Sequence, residues 1–81
     1  MSTLYAKLTL MFQWLEDLEW KEGMVQTKNY TSTYLGFDKV SQEELEYLAR
    51  TANKVLDTKG AAFRIVPSMG ELCVVDTEKF Q

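Results

Sequence analysis

Apolar residues recur at Leu4, Leu8, Met11, Leu15 and Leu18, spaced four, three, four and three. That spacing returns to one side of a 3.6-residue turn and predicts an amphipathic helix over Thr3 to Gly23. Ser2 or Thr3 can cap its start through a hydroxyl, and Gly23 can end it by entering the left-handed region. A strand over Leu4 to Phe12 competes, because Ala6, Leu8, Leu10 and Phe12 also alternate with Tyr5, Lys7, Thr9 and Met11. The helical stripe runs longer and carries both end signals, so the helix is preferred.

The pattern then changes. Val25, Thr27, Tyr30, Thr31, Thr33 and Tyr34 are β-branched or aromatic and suit a pleated, half-buried surface. They predict a strand within 25–36, interrupted near Lys28-Asn29, with Gly36 and Asp38 marking the exit. Ser41-Gln42-Glu43-Glu44 reads as a capping box, with Val40 and Leu45 placed for a hydrophobic staple. Leu45, Leu48, Ala49, Ala52, Val55 and Leu56 form the apolar face of the helix that follows. Lys54 and Lys59 favour the negative end of its dipole, and Gly60 terminates it. Beyond it, Phe63, Ile65 and Val66 belong to one strand and Leu72 to Val75 to another. Pro67-Ser68-Met69-Gly70-Glu71 supplies the turn of a hairpin. Pro67 cannot donate to a ladder, so it belongs at a strand end or on an edge. Residues 77–81 read as a frayed tail.

The expected order is α-β-α-β-β. It makes an α+β domain spanning residues 1–81, with a mostly antiparallel three-stranded sheet and two helices on one face. The predicted core is Leu8, Met11, Leu15, Leu18, Leu45, Leu48, Ala52, Val55, Phe63, Ile65, Leu72 and Val74.

Composition narrows the function classes. With 81 residues, the core is thin and net stability is roughly 3–8 kcal/mol. Nine basic and twelve acidic residues give a charge of −3. That balance argues against binding through phosphate backbones and suits docking onto a basic surface of another protein. The single cysteine, Cys73, permits no internal disulfide, which fits a cytoplasmic protein. The N-terminal residues lack signal-peptide character, and no apolar stretch is long enough for a membrane span. Asn29-Tyr30-Thr31 matches a glycosylation sequon and is read as chance.

Little in the chain supports catalysis. There is no histidine, so the commonest general base is missing. Cys73 sits inside Leu72-Cys73-Val74-Val75, which predicts a buried, inert thiol. One cysteine without histidine excludes the usual zinc sets. Glu16, Asp17 and Glu19, and likewise Glu43, Glu44 and Glu46, read as solvated helix faces. No glycine pattern cradles a phosphate. The expectation is a non-enzyme that needs no metal or cofactor.

Two binding readings remain. Leu10, Trp14 and Trp20 lie off the main stripe of the first helix, and on a helical wheel Trp20 falls near Gln13 and Glu16. A tryptophan among charges is a common interface anchor. The first reading is therefore a protein-interaction module, an inhibitor, adaptor or regulator, contacting its partner through Trp20, Glu16, Asp17, Lys21 and Trp14. Self-association into a homo-oligomer is a related expectation. The second is a small-ligand or nucleotide site, whose pocket can lie at a subunit interface, with Lys28, Tyr30, Tyr34 and Trp14 stacking on and pairing with the ligand. The same aromatics could stack single-stranded bases, but strands commonly carry tyrosines for packing.

Overall fold

A computed structural model of the chain describes residues 3–29 and 32–76. Helix α1 spans Thr3–Asp17. Strands β1 (Leu18–Lys21) and β2 (Met24–Thr27) form an antiparallel hairpin. Strand β3 (Tyr34–Gly36), helix α2 (Gln42–Thr58), and strands β4 (Phe63–Ser68) and β5 (Glu71–Asp76) follow. β3, β5 and β4 make a three-stranded antiparallel sheet in that order. The α+β class with two helices and a three-stranded sheet is as the pattern predicts, with a second, two-stranded sheet added.

The first helix ends earlier than its apolar stripe implies. Leu18 satisfies both a helical and an alternating period, and the alternation prevails. Leu18 pairs with Thr27 and Trp20 with Val25 on one side of the hairpin. Lys21 pairs with Met24 on the other. Glu22 and Gly23 form the two-residue turn with φ of 54° and 82°, the doubly positive pattern that matches strand twist. Gly23 therefore turns a hairpin and does not cap a helix. Leu4–Phe12 is helical. The expected cap at Ser2, the residues Tyr30 and Thr31, and the tail at 77–81 lie outside the described residues. The segment expected as one strand gives β2 and β3, with the break near Lys28-Asn29 as predicted.

Helix α2 follows its local signals closely. Ser41 Oγ accepts from the Glu44 N–H at 3.1 Å, and Glu44 Oε1 accepts from the Ser41 N–H at 3.4 Å. Val40 packs against the core that Leu45 enters, as a staple requires. At the far end Gly60 sits at φ 64°. Its N–H donates to Asp57 O, and the Ala61 N–H donates to Leu56 O. These two bonds are the Schellman closure, and they satisfy carbonyls that the helix itself cannot. Lys59 is the capping residue, and Lys54 falls short of the last turn.

One core joins these elements. Met11, Leu45, Leu48, Ile65 and Leu72 are its largest fully buried side chains. Each buried leucine contributes about 2 kcal/mol by transfer from water. Every residue of the predicted core is in this cluster, with Leu8, Val55 and Val74 only partly buried at its margin. Trp14, Ala49 and Leu56 join it as well. Cys73 is half-buried, not in the core. Strand alternation turns Leu72 inward and places Cys73 on the opposite sheet face, paired with Val66 and Tyr34.

Polar contacts also link the layers, among them the Arg64–Asp57 ion pair between β4 and α2. Lys7 Nζ donates to Glu44 Oε1 at 2.9 Å, joining α1 to the first turn of α2. Asn53 of α2 donates from Nδ2 to Ile65 O at 2.9 Å and accepts from the Ile65 N–H at 2.8 Å. Ile65 lies on edge strand β4, so the Asn53 amide occupies main-chain groups that another strand would use. Pro67 on the same edge has no N–H to offer, which agrees with its expected edge position.

Replacing Asn53 with Ala should leave both Ile65 groups without a protein partner. A loss of about 2 kcal/mol in denaturant unfolding is expected, with increased self-association on size exclusion. The Lys7 ammonium, and then the Ser41 N–H, hold the Glu44 carboxyl below the ordinary carboxylate range. Because the folded value is lowered, this contribution is complete above the ordinary range and is lost as pH falls through the folded value. Glu44→Gln should therefore melt below the parent protein at neutral pH, and the gap should close in acid.

Candidate functional site

Helix α1 presents two faces. The stripe through Met11 and Leu15 enters the core. Leu10, Gln13, Trp14 and Asp17 follow the i, i+3, i+4, i+7 spacing and share a second side. Opposite them runs the chain after β2. Between the two lies an open cleft of about 590 Å³, lined also by Glu16, Lys28, Asn29, Ser32, Tyr34 and Leu35.

The far wall is tied to the helix by three bonds. The Lys28 N–H donates to Asp17 O at 2.9 Å, so a carbonyl left over at the helix end is satisfied by the chain leaving β2. Asn29 Nδ2 donates to Asp17 Oδ1 at 2.6 Å. Trp14 Nε1 donates to Ser32 O at 3.0 Å. Trp14 is only 6% exposed. Most of its ring is therefore core, and the remaining edge reaches the cleft. Leu10 and Tyr34 are 50% and 53% exposed and stand at the cleft without cover. Glu16 and Asp17 against Lys28 leave the lining net acidic.

This geometry regroups the residues singled out in the sequence. Glu16 and Asp17, expected in a protein contact, share one cleft with Lys28 and Tyr34, expected in a ligand site, and with Trp14, expected in either. Trp20 does not join them. It lies on β1 and not on a helix, on the same side of the hairpin as buried Leu18, and is 39% exposed. Its ring and Glu16 line a separate groove beside Lys59 and Phe63. Lys21 points to the opposite side of the hairpin from Trp20. The patch of Trp20, Glu16, Asp17 and Lys21 inferred from a helical wheel is thus split: Glu16 still shares a groove with Trp20, whereas Asp17 and Lys21 do not, because the helix ends at Asp17. Tyr30 lies outside the described residues. Glu19 is on β1, away from the acidic helix face expected for it.

Ser32 and Leu35 were not expected at a site, and Leu10 was marked as apolar surface off the main stripe without being placed in the contact patch. The four-residue step from Leu10 to Trp14 was the available signal for Leu10. Nothing local marks Ser32, whose part is a main-chain carbonyl. Among the described residues, no group of three or more His, Cys, Asp or Glu side chains converges. No described helix is long and apolar enough to cross a membrane.

Trp14→Phe keeps an aromatic ring in the core but deletes the donor to Ser32. Thermal melts should show a loss of about 1 kcal/mol. Amide exchange should quicken selectively in the segment after β2, while α2 and β4 stay protected.

The chain matches no protein-family model, and no curated protein or solved structure shows significant similarity to it.

Proposed function

We propose that this chain is a small, non-catalytic interaction module that acts by occupying a surface of another protein, and that the α1 cleft is its contact site. The observation that carries the reading is the exposure of Leu10 and Tyr34 at one open cleft floored by Trp14. Apolar side chains cost free energy in water, and a partner that covers them recovers about 25 cal/mol for each Å² removed from solvent. Aromatic residues at such positions are frequent anchors of binding energy. Glu16 and Asp17 give the rim its sign, so the complementary partner presents a basic segment with an apolar side chain between its charges.

A nucleotide site is the second reading, supported by Lys28 and Tyr34 lining the same cleft. Its volume falls in the range of ligand pockets. Glu16 and Asp17 weigh against it, because both carboxylates would repel a phosphate across a short distance.

Titration of ¹⁵N-labelled protein with Lys- and Arg-rich peptides containing Leu or Phe tests the choice. Shift changes confined to residues 10–17 and 28–35 are expected. The double variant Leu10→Ser, Tyr34→Ser should weaken binding about tenfold or more, the loss of roughly one anchor. Silence of the cleft towards every peptide, with saturable shifts on adding nucleotides, would overturn the interaction reading in favour of the second.

A further inference from the structure

The three-stranded sheet has two outer edges, β4 and β3, and they are not alike. In a two-residue hairpin the pair flanking the turn is hydrogen-bonded, so Ser68 and Glu71 bond each other across Met69-Gly70. Antiparallel pairs then alternate between bonded and non-bonded. Cys73 and Val75 therefore turn their main-chain groups towards β4, and Leu72 and Val74 turn theirs towards β3. On β4 the alternation sends the Ile65 groups outward, where Asn53 meets both of them. Pro67 is the next outward position and has no N–H. The β4 edge is closed at both places.

On β3 the same alternation leaves an edge open. Leu35 pairs with Leu72 and spends its main-chain groups on β5. Tyr34 and Gly36 turn theirs outward, two N–H donors and two C=O acceptors, and no described residue bonds them there. Both positions share the sheet face of Cys73, since Leu72 and Leu35 turn to the core. Tyr34 is 53% exposed. Gly36 leaves a gap beside it, and the Glu71 side chain borders that gap: a Cβ at Gly36 would stand 3.4 Å from Glu71 Oε2.

We infer that the β3 edge is a strand-pairing site, and that its occupant is β3 of a second copy of this chain, antiparallel about a two-fold axis at Leu35. That register sets Tyr34 opposite Gly36 of the second copy, and Gly36 opposite its Tyr34. Each such pair is a bonded one, so every outward donor and acceptor of both strands is used. Each tyrosine ring covers the glycine across from it, a favoured arrangement at sheet edges. The phenol then lies beside the Glu71 carboxylate of the second copy and can donate to it. An unrelated strand would need a residue without a side chain opposite Tyr34 and a large one opposite Gly36. This chain's own edge supplies both at the required spacing. The contact is isologous and closes at two copies. It is also short, so the dimer is weak and populated at protein concentrations on the order of 1 mM.

The inference uses the main chain of β3 and does not rest on the α1 reading. Residue-resolved amide exchange of the parent protein, dilute and at about 1 mM, tests it. The Tyr34 and Gly36 amides should exchange about fivefold or more slowly at the higher concentration. Leu35, already bonded to β5, should exchange at the same rate at both. Sedimentation equilibrium should show a dimer and no larger species. Gly36→Lys puts a charged side chain where the second copy's tyrosine ring lies, and should raise the dissociation constant about tenfold or more. Gly36→Ala meets Glu71 only at contact distance and should still dimerise. Matching melts would show that both variants are folded, and the exchange of the parent protein decides the matter if Gly36→Lys is not. Leu10→Ser removes an α1-cleft anchor and should leave the dimer unchanged, which separates failure here from failure of that reading. A monomer at about 1 mM, concentration-independent exchange at Tyr34 and Gly36, or a dimer that folded Gly36→Lys retains at full strength would each overturn the proposal.

Discussion

The side-chain amide of Asn53 ties the second helix to the edge of the sheet, beside the Arg64–Asp57 ion pair and the shared core. It gives a donor and an acceptor to the same residue, Ile65, on the outermost strand. An asparagine side chain matches a peptide group in shape and polarity, so the helix ends the sheet as another strand would. Two consequences follow from one contact. The helix is held at a fixed height over Phe63, Ile65 and Leu72, where the core closes. The β4 edge is also withdrawn from pairing with other chains at that point. Small domains have little stability to spare, and an open edge is a route to aggregation.

The other half of the molecule is organised by the end of α1. Asp17 uses its main-chain carbonyl for Lys28 and its side chain for Asn29. Trp14, one turn earlier, holds Ser32. The chain returning from the hairpin is therefore moored to the helix, which shapes a cleft there. Trp14 serves both sides of this arrangement, since its ring fills core volume while its N–H holds the cleft wall. Changes at Trp14 would mix packing with site geometry, whereas Leu10 and Tyr34 report on the cleft more cleanly because they are exposed.

Charge is distributed by structure: Glu16 and Asp17 stand at the α1 cleft with Lys28, while Arg64 on β4 is paired with Asp57 of α2. Net charge describes the long-range field of the protein. The contact chemistry is set by which few side chains share a concave surface, and the two need not agree.

Much of this fold is legible along the chain. The core stripe of α1, the capping box at Ser41, the terminator at Gly60 and the hairpin after α2 are local signals, each complete within a few residues, although the hairpin's turn is only Met69-Gly70 and Pro67, Ser68 and Glu71 pair within the strands. The expected class and core follow from them. Where α1 ends was not legible, because Leu18 fits both the helical stripe after Leu15 and an alternation with Trp20, and Glu22-Gly23 lacks the asparagine or aspartate that usually announces such a turn. Pairing with residues 24–27 decides the matter, and strand pairing depends on register with residues distant from the ambiguous ones. The exposure of Cys73 and the regrouping of the site have the same origin. Apart from residues 18–23, sequence alone determined which segments are helical or extended and most of what they bury, since periodicity and capping act between near neighbours. Only the tertiary structure decided that Glu16 and Asp17 share a cleft with Trp14, Lys28 and Tyr34, that Trp20 does not join it, and that Asn53 closes the sheet. Those relations come from chain crossings and hydrogen bonds between residues far apart in sequence, which no local pattern encodes.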